Sequence, residues 1–227
     1  TFVIPNGIDI AQYKKVYDSR NAKRPLNGAN SLLSIGFVGR VVPIKDVKTF
    51  IRACKVVSLR IPNIKIYIVG PTDENANYYQ ECLELCSFMG IEDRIDFVGQ
   101  ADSMKYYSFL DLVVLTSVSE AQPLVVLEAN CAGIPVVASD VGACRELLEG
   151  NTEDDKALGV SGIVTRVVDP ADTANGIIAI LTNDELRKKM SLAGHKRVET
   201  FYRESDLNDK YLSVYKEFMK SEDLGDL

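Results

Sequence analysis

Short apolar runs alternate with longer amphipathic stretches along most of this chain. The runs at 33–38, 64–69, 94–98, 112–115, 136–138 and 162–165 are rich in β-branched residues, the pattern of strands covered on both faces. Helical patterns lie between them. Asp46 is placed to cap a helix whose apolar positions Val47, Phe50, Ile51, Cys54 and Val57 recur at helical spacing, and Pro62 with Asn63 ends it. A second helix is expected over 78–88, closed by Gly90, and a brief one over 103–109. Pro123 suits the first position of the next, since proline has no amide hydrogen to lose, and Gly133 stops it. A short helix follows Gly142 as far as Leu148, an acidic loop spans 150–156, and helices over 170–181, 184–201 and 207–220 close the chain. At the other end, 1–9 is a short β-like run with turn residues Pro5, Asn6 and Gly7. The polar stretch 18–31, with Pro25, Asn27 and Gly28, reads as an exposed loop.

Strands alternating with helices at spacings of roughly 20 to 35 residues imply parallel, right-handed crossovers. The fold class expected is α/β: a doubly wound, Rossmann-like parallel sheet of about six strands with helices on both faces. A ligand of such a sheet lies across the carboxyl ends of its strands, at the switch point. Gly39, Gly70, Gly99 and the polar loop 117–122 all fall at strand ends on that edge.

Composition narrows the function classes. A chain of 227 residues, 46% hydrophobic and 26% charged, is globular in type, with room for one large domain or a domain plus appendages. A net charge of −6 argues against a general nucleic-acid partner. No apolar run approaches the ~20 residues that span a bilayer. Cys54, Cys82, Cys86, Cys131 and Cys144 lie within apolar helical patterns and read as reduced core residues of a cytoplasmic protein. The only histidine, His195, sits beside Lys196 and Arg197 and reads as a surface residue; without a second one, neither a His-dependent triad nor a zinc site is expected.

The candidate chemistry gathers in 112–146. Leu124 and Val125, in the first helical turn after a strand and a polar loop, offer unpaired amides at the positive end of a helix dipole, where an anion can sit. Glu120 and Glu128 flank that point. Carboxylates repel a phosphate they touch, so their better use is to accept hydrogen bonds from hydroxyls on either side, which suits a sugar, a diphosphate and a ribose. Glu128 sits among apolar helix positions and needs a donor; a ribose diol and a neighbouring backbone amide both qualify. Arg40 and Lys45 flank a tight loop that opens a helix and are placed to reach a diphosphate from the side opposite Leu124. Solvated loop cations are the alternative reading. Gly36 to Arg40 is not a dinucleotide fingerprint, because a third glycine is absent.

Together these residues resemble the donor-binding, C-terminal half of the GT-B glycosyltransferases, specifically the retaining family numbered four. PNGID at 5–9 resembles that family's interdomain seam, GRVVPIK at 39–45 its phosphate loop, 120–128 its paired-glutamate element, and 133–146 the strand and loop that follow. The wording SEAQPLVVLEA is nearest to the exopolysaccharide glycosyltransferases of the PelF type, which implies a UDP-glucose donor. By that resemblance Arg40, Lys45 and Glu120 are catalytic: the cations neutralise the donor diphosphate and Glu120 binds sugar hydroxyls. Gly39, Gln122, Leu124, Val125, Glu128 and Val98 bind donor, with Glu128 on the ribose, the Leu124 and Val125 amides on phosphate and the turn at 97–100 near the base. No metal or cofactor is implied, and the anomeric configuration is retained. Ala121, Gln122 and Pro123 stand where many members carry glycines, and Pro123 has no amide to offer, which leaves the sugar open.

The organisation implied is a seam and exposed loop over 1–30, the nucleotide-sugar-binding domain over 31–200, and a C-terminal helix over 201–227 that docks on an N-terminal domain outside this sequence. Tyr202, Tyr211, Tyr215 and Phe218 are the docking candidates, with ordinary core packing as the alternative. That other domain would bring a glycan or lipid-linked acceptor, and peripheral membrane association of the whole protein is compatible with it. The chain alone is expected to bind donor and transfer little. A nucleotide-sugar epimerase half and a non-catalytic nucleotide-binding module are the alternatives.

Overall fold

In a computed structural model, which describes residues 4–23 and 32–222, the strands are β1 Leu33–Val38, β2 Ile64–Val69, β3 Ile95–Gly99, β4 Leu112–Leu115, β5 Val136–Ser139 and β6 Gly162–Thr165. They form one six-stranded sheet in the order β3-β2-β1-β4-β5-β6, with every neighbouring pair parallel. The doubly wound class is as the pattern predicts. The chain leaves β1 to one side through β2 and β3 and returns to its other side with β4. The crevice between β1 and β4 is therefore the switch point.

Helices cover both faces. α2 Val47–Arg60, α3 Ala76–Met89 and α8 Pro170–Leu181 lie on one, over a core that includes Ile35, Phe37, Phe50, Ile66, Leu112 and Val114. α5 Leu124–Cys131, α6 Cys144–Glu149 and α9 Asp184–Phe201 lie on the other, over Val113, Leu115, Leu127, Val136 and Ala138. Val113 and Val114 thus point into opposite cores, as successive residues of a strand must. Burial on both faces explains why the strands are apolar throughout rather than alternating. All five cysteines are buried and unpaired. No helix among the described residues is long and apolar enough to cross a membrane.

Several local expectations change. Part of the stretch read as an exposed loop is helical: α1 Ile10–Lys23 takes in Asp18, while 24–31 lie outside the described residues, as do 1–3 and 223–227. α1 escapes its pattern because only a few side chains anchor it, Tyr13 and Arg20 among them. Of the β-like run at 1–9, the described residues 4–9 contain one bridge, Ile8 to Arg203. The acidic loop contains a helical turn, α7 Glu153–Lys156, capped by the Thr152 hydroxyl accepting from the Asp155 amide. The last helix, α10, runs over Glu204–Glu222, and α4 over Ser103–Tyr107. Of the docking candidates, Tyr202 is core, Tyr211 and Tyr215 are exposed, and the Phe218 side chain lies outside the described set.

His195 departs from its surface reading, being half-buried, and Arg197 two positions on lies in the interior. The His195 ring stacks on Tyr17 at 3.4 Å between centroids, and its Nδ1 meets the Cys131 carbonyl at 2.8 Å. Arg197 is fully buried: Nε donates to Asp155 Oδ1 at 2.5 Å, and the two terminal nitrogens donate to the Leu148, Asp155 and Gly159 carbonyls and to Ser161 Oγ. With every donor used, a guanidinium can remain charged in the interior.

Candidate functional site

The loop after β1 is drawn tightly onto the rest of the rim. The Gly39 amide donates to the Val69 carbonyl at 2.8 Å and the Gly70 amide to the Gly99 carbonyl at 2.9 Å, so the ends of β1, β2 and β3 are linked in series. A side chain at Gly70 would place its Cβ 2.1 Å from the Gly39 oxygen; only glycine allows this approach. Val41 follows fully buried, and the turn Pro43–Lys45 leads into Asp46, whose left-handed backbone (φ 45°, ψ 53°) turns the chain into α2. Asp46 Oδ1 accepts from the Thr49 amide at 3.2 Å, the cap expected from the sequence.

The loop after β4 is bound to that turn. The Val118 amide donates to the Ile44 carbonyl at 2.9 Å, and Thr116 Oγ1 donates to the Asp46 carbonyl at 2.9 Å. From the other side Ser139 Oγ donates to the Ser117 carbonyl at 2.6 Å. These bonds clasp two loops that leave β1 and β4, either side of the switch point, and they aim their side chains at each other. Lys45 Nζ lies 2.5 Å from Glu120 Oε1, and Ser117 Oγ donates to the same oxygen at 2.7 Å. The lysine and glutamate side chains are 19% and 13% exposed, so the pair is sheltered yet reachable from the crevice. Gly142 supports Glu120 from behind: its φ is +50°, and a Cβ there would stand 2.2 Å from the Glu120 carbonyl oxygen.

Other predicted residues fall on the same rim with different partners. Gln122 is engaged by Asn6: its Oε1 accepts from the Asn6 amide at 2.5 Å, and its carbonyl accepts from Asn6 Nδ2 at 3.3 Å. Leu124 and Val125 open α5, whose first turn is closed by the Val126 amide donating to the Pro123 carbonyl at 3.2 Å. Pro123 itself is the cap residue (φ −75°, ψ 117°) and not the first helical one, since it still carries the extended backbone of the loop. Glu128 finds its donor inside the protein, in neither of the two forms expected: Tyr107 Oη donates to Glu128 Oε2 at 2.7 Å. Arg40 turns outward to Glu74 at 2.8 Å and is 53% exposed, so the two cations expected to converge stand apart here. Val98 lies near the end of the outermost strand β3, with β2 between it and β1.

Sequence reasoning did not find Ser117, Thr116, Asn6 or Tyr107 as site residues. A signal was available for Ser117, a hydroxyl three positions before a carboxylate in a tight loop. Tyr107 has none, because its partnership with Glu128 depends on how α4 packs against α5.

The arrangement is a neutralised cation beside a helix amino terminus at a switch point, with a carboxylate held by a buried hydroxyl one helical turn further on. It can receive an anion flanked by hydroxyl groups. Residues 19–197 match the family described as glycosyl transferases group 1. The chain belongs to that family. A D-inositol 3-phosphate glycosyltransferase of Geodermatophilus obscurus is 30% identical over 194 residues, 82% of this chain and 41% of its own length. The lipopolysaccharide core biosynthesis mannosyltransferase LpsB of Rhizobium meliloti is 31% identical over 171 residues, 74% of this chain and 49% of its own length. The chain thus spans about half the length of the curated relatives it matches. Among solved structures, HepE of Anabaena in complex with UDP-glucose aligns with a TM-score of 0.80 at 24% identity over 96% of this chain and 57% of that one. The C-terminal domain of the group 1 glycosyl transferase LpcC from Francisella tularensis aligns with a TM-score of 0.69 at 24% identity, over 87% of this chain and 99% of that one. These likenesses extend the parallel-sheet architecture to GT-B glycosyltransferases.

Proposed function

We propose that this chain is the donor-binding domain of a retaining hexosyltransferase of the family-four, PelF-like type, taking its sugar from UDP-glucose or a close relative. The observation that carries the reading is the Lys45–Glu120 pair, 2.5 Å apart at the switch point. A donor diphosphate entering there exchanges the carboxylate for phosphate at Lys45 and frees Glu120 for the sugar hydroxyls. The bound state of HepE with UDP-glucose supports that donor class.

The leaving nucleotide gains negative charge as its bond to the sugar breaks, and fixed positive charge lowers that barrier most when it is already in place. Lys45, Arg40 swung from Glu74, and the Leu124 and Val125 amides supply it without a metal ion or cofactor. Gly39 lets the backbone come close, Gln122 borders the sugar, Glu128 holds the ribose and Val98 stands near the base. The acceptor, a glycan or a lipid-linked sugar, is positioned by the other domain. Positioning contributes much of a group-transfer rate, so the chain by itself binds donor and transfers little.

Calorimetric titration with UDP, UDP-glucose, GDP-mannose and ADP-glucose tests this reading. Saturable binding of a uridine nucleotide, weakened at least tenfold in Lys45→Ala, is the result expected. Binding of none of the four, or efficient transfer by the chain alone, would overturn it.

A further inference from the structure

We infer that Tyr107 is the positioning residue for Glu128, and that it sets how that carboxylate meets the ribose of the donor; the inference rests on the donor-site reading above. Tyr107 is fully buried at the end of α4, and its hydroxyl donates to Glu128 Oε2 at 2.7 Å. Among the described residues Oε1 of the same carboxylate has no donor. The hydroxyl therefore fixes which oxygen faces inward and leaves the other for a ribose hydroxyl. Burial and the neighbouring Glu128 charge both push the Tyr107 phenol well above its usual range, so it remains a donor at any working pH.

The tyrosine is itself held by α1. Arg20 Nη1 donates to the Tyr107 carbonyl at 2.8 Å, and the Tyr13 ring stands 6.2 Å from the Tyr107 ring. Tyr13 and Arg20 are both buried. α1 begins directly after the seam residues 5–9, so the path from the seam to the ribose carboxylate is α1, Tyr107, Glu128. A helix that looks peripheral in sequence thereby braces a ligand contact.

The test compares UDP with 2′,3′-dideoxy-UDP on the parent chain, Tyr107→Phe, Glu128→Ala and the double variant. The phenylalanine keeps the ring and its packing and removes only the hydroxyl. UDP affinity should fall about tenfold in Tyr107→Phe, as for loss of a hydrogen bond to a charged group. Affinity for the dideoxy ligand should stay within twofold, and in the Glu128→Ala background the second substitution should change nothing further. Equal losses for both ligands would reduce Tyr107 to a packing residue and overturn the inference, as would an unchanged UDP affinity. If the parent chain itself failed to bind UDP, the uridine donor reading would fall, and this inference with it.

Discussion

Lys45 Nζ and Glu120 Oε1 meet at 2.5 Å across 75 positions of sequence, and Ser117 Oγ completes the contact at 2.7 Å. On the donor-site reading proposed above, the ion pair is a resting arrangement in which each charge satisfies the other until an anion and a set of hydroxyls replace both partners. Removing one member leaves its partner sheltered and unpaired. Lys45→Ala should cost about 1–3 kcal/mol, below the full penalty for a buried pair because some exposure remains. The coupling between Lys45→Ala and Glu120→Gln, measured by urea denaturation, should shrink when saturating UDP is present. Coupling unchanged by ligand would mean that the pair never opens.

Gly142 tests whether the Glu120 loop tolerates displacement. A Cβ there would stand 2.2 Å from the Glu120 carbonyl oxygen and 2.4 Å from that of Ala121, on a backbone of φ +50°. Gly142→Ala should lower stability by about 1–3 kcal/mol, the scale of strained backbone positions. It should also weaken nucleotide binding more than a remote substitution of equal stability cost, such as one at the buried core residue Ile180. Equal weakening in both would tie the effect to global stability alone.

The Arg197 cage predicts a large, purely structural loss. Its partners run from Leu148 in the last turn of α6 through Asp155 and Gly159 to Ser161, just before β6, so the guanidinium pins that stretch to α9. Arg197→Ala strands a buried carboxylate and should cost about 3–5 kcal/mol. The paired change Arg197→Met with Asp155→Leu should recover part of it. A loss under 1 kcal/mol in a thermal melt would show the cage to be unimportant.

Alkaline pH should destabilise the fold. Burial pushes the thiols of Cys82, Cys131 and Cys144 up to about 12 and that of Cys86 up to about 11, from an ordinary 9.0. The unfolded chain therefore releases protons near pH 9 that the folded chain keeps, so the unfolded state binds fewer protons and stability falls as pH rises. The contribution is complete below pH 9 and is lost through the window up to about 12. Urea midpoints at pH 7.5, 9 and 10 should fall slightly over the first interval and steeply over the second. The five thiols should also resist a thiol reagent at pH 7.5 until urea is added.

Much of this molecule was readable because burial on both faces of a parallel sheet writes itself into short apolar runs, as at Leu112–Leu115, and because Asp46 and Gly90 mark helix ends with their own chemistry. α1 was not, since Tyr13 and Arg20 become core residues only through helices α4 and α5 that arrive much later in the chain. His195 failed for the same reason: the Tyr17 ring that covers it is remote in sequence. Glu128's need for a donor is legible among its apolar neighbours, yet the identity of Tyr107 follows from helix packing and not from spacing. Arg40 was expected beside Lys45, and its pairing with Glu74 reflects a side chain free to choose among exposed partners.

The strand order has a further consequence during synthesis. β1 emerges early but lies beside β4, which follows 74 positions later by residue number if Val38 is compared with Leu112. A ribosome-bound chain that ends before Gly142 can hold β2 and β3 against β1, yet it lacks the support behind Glu120 and the Ser139 tie to Ser117 is newly made. The loop that carries Glu120 is therefore braced on both sides only once the second half of the sheet has been made.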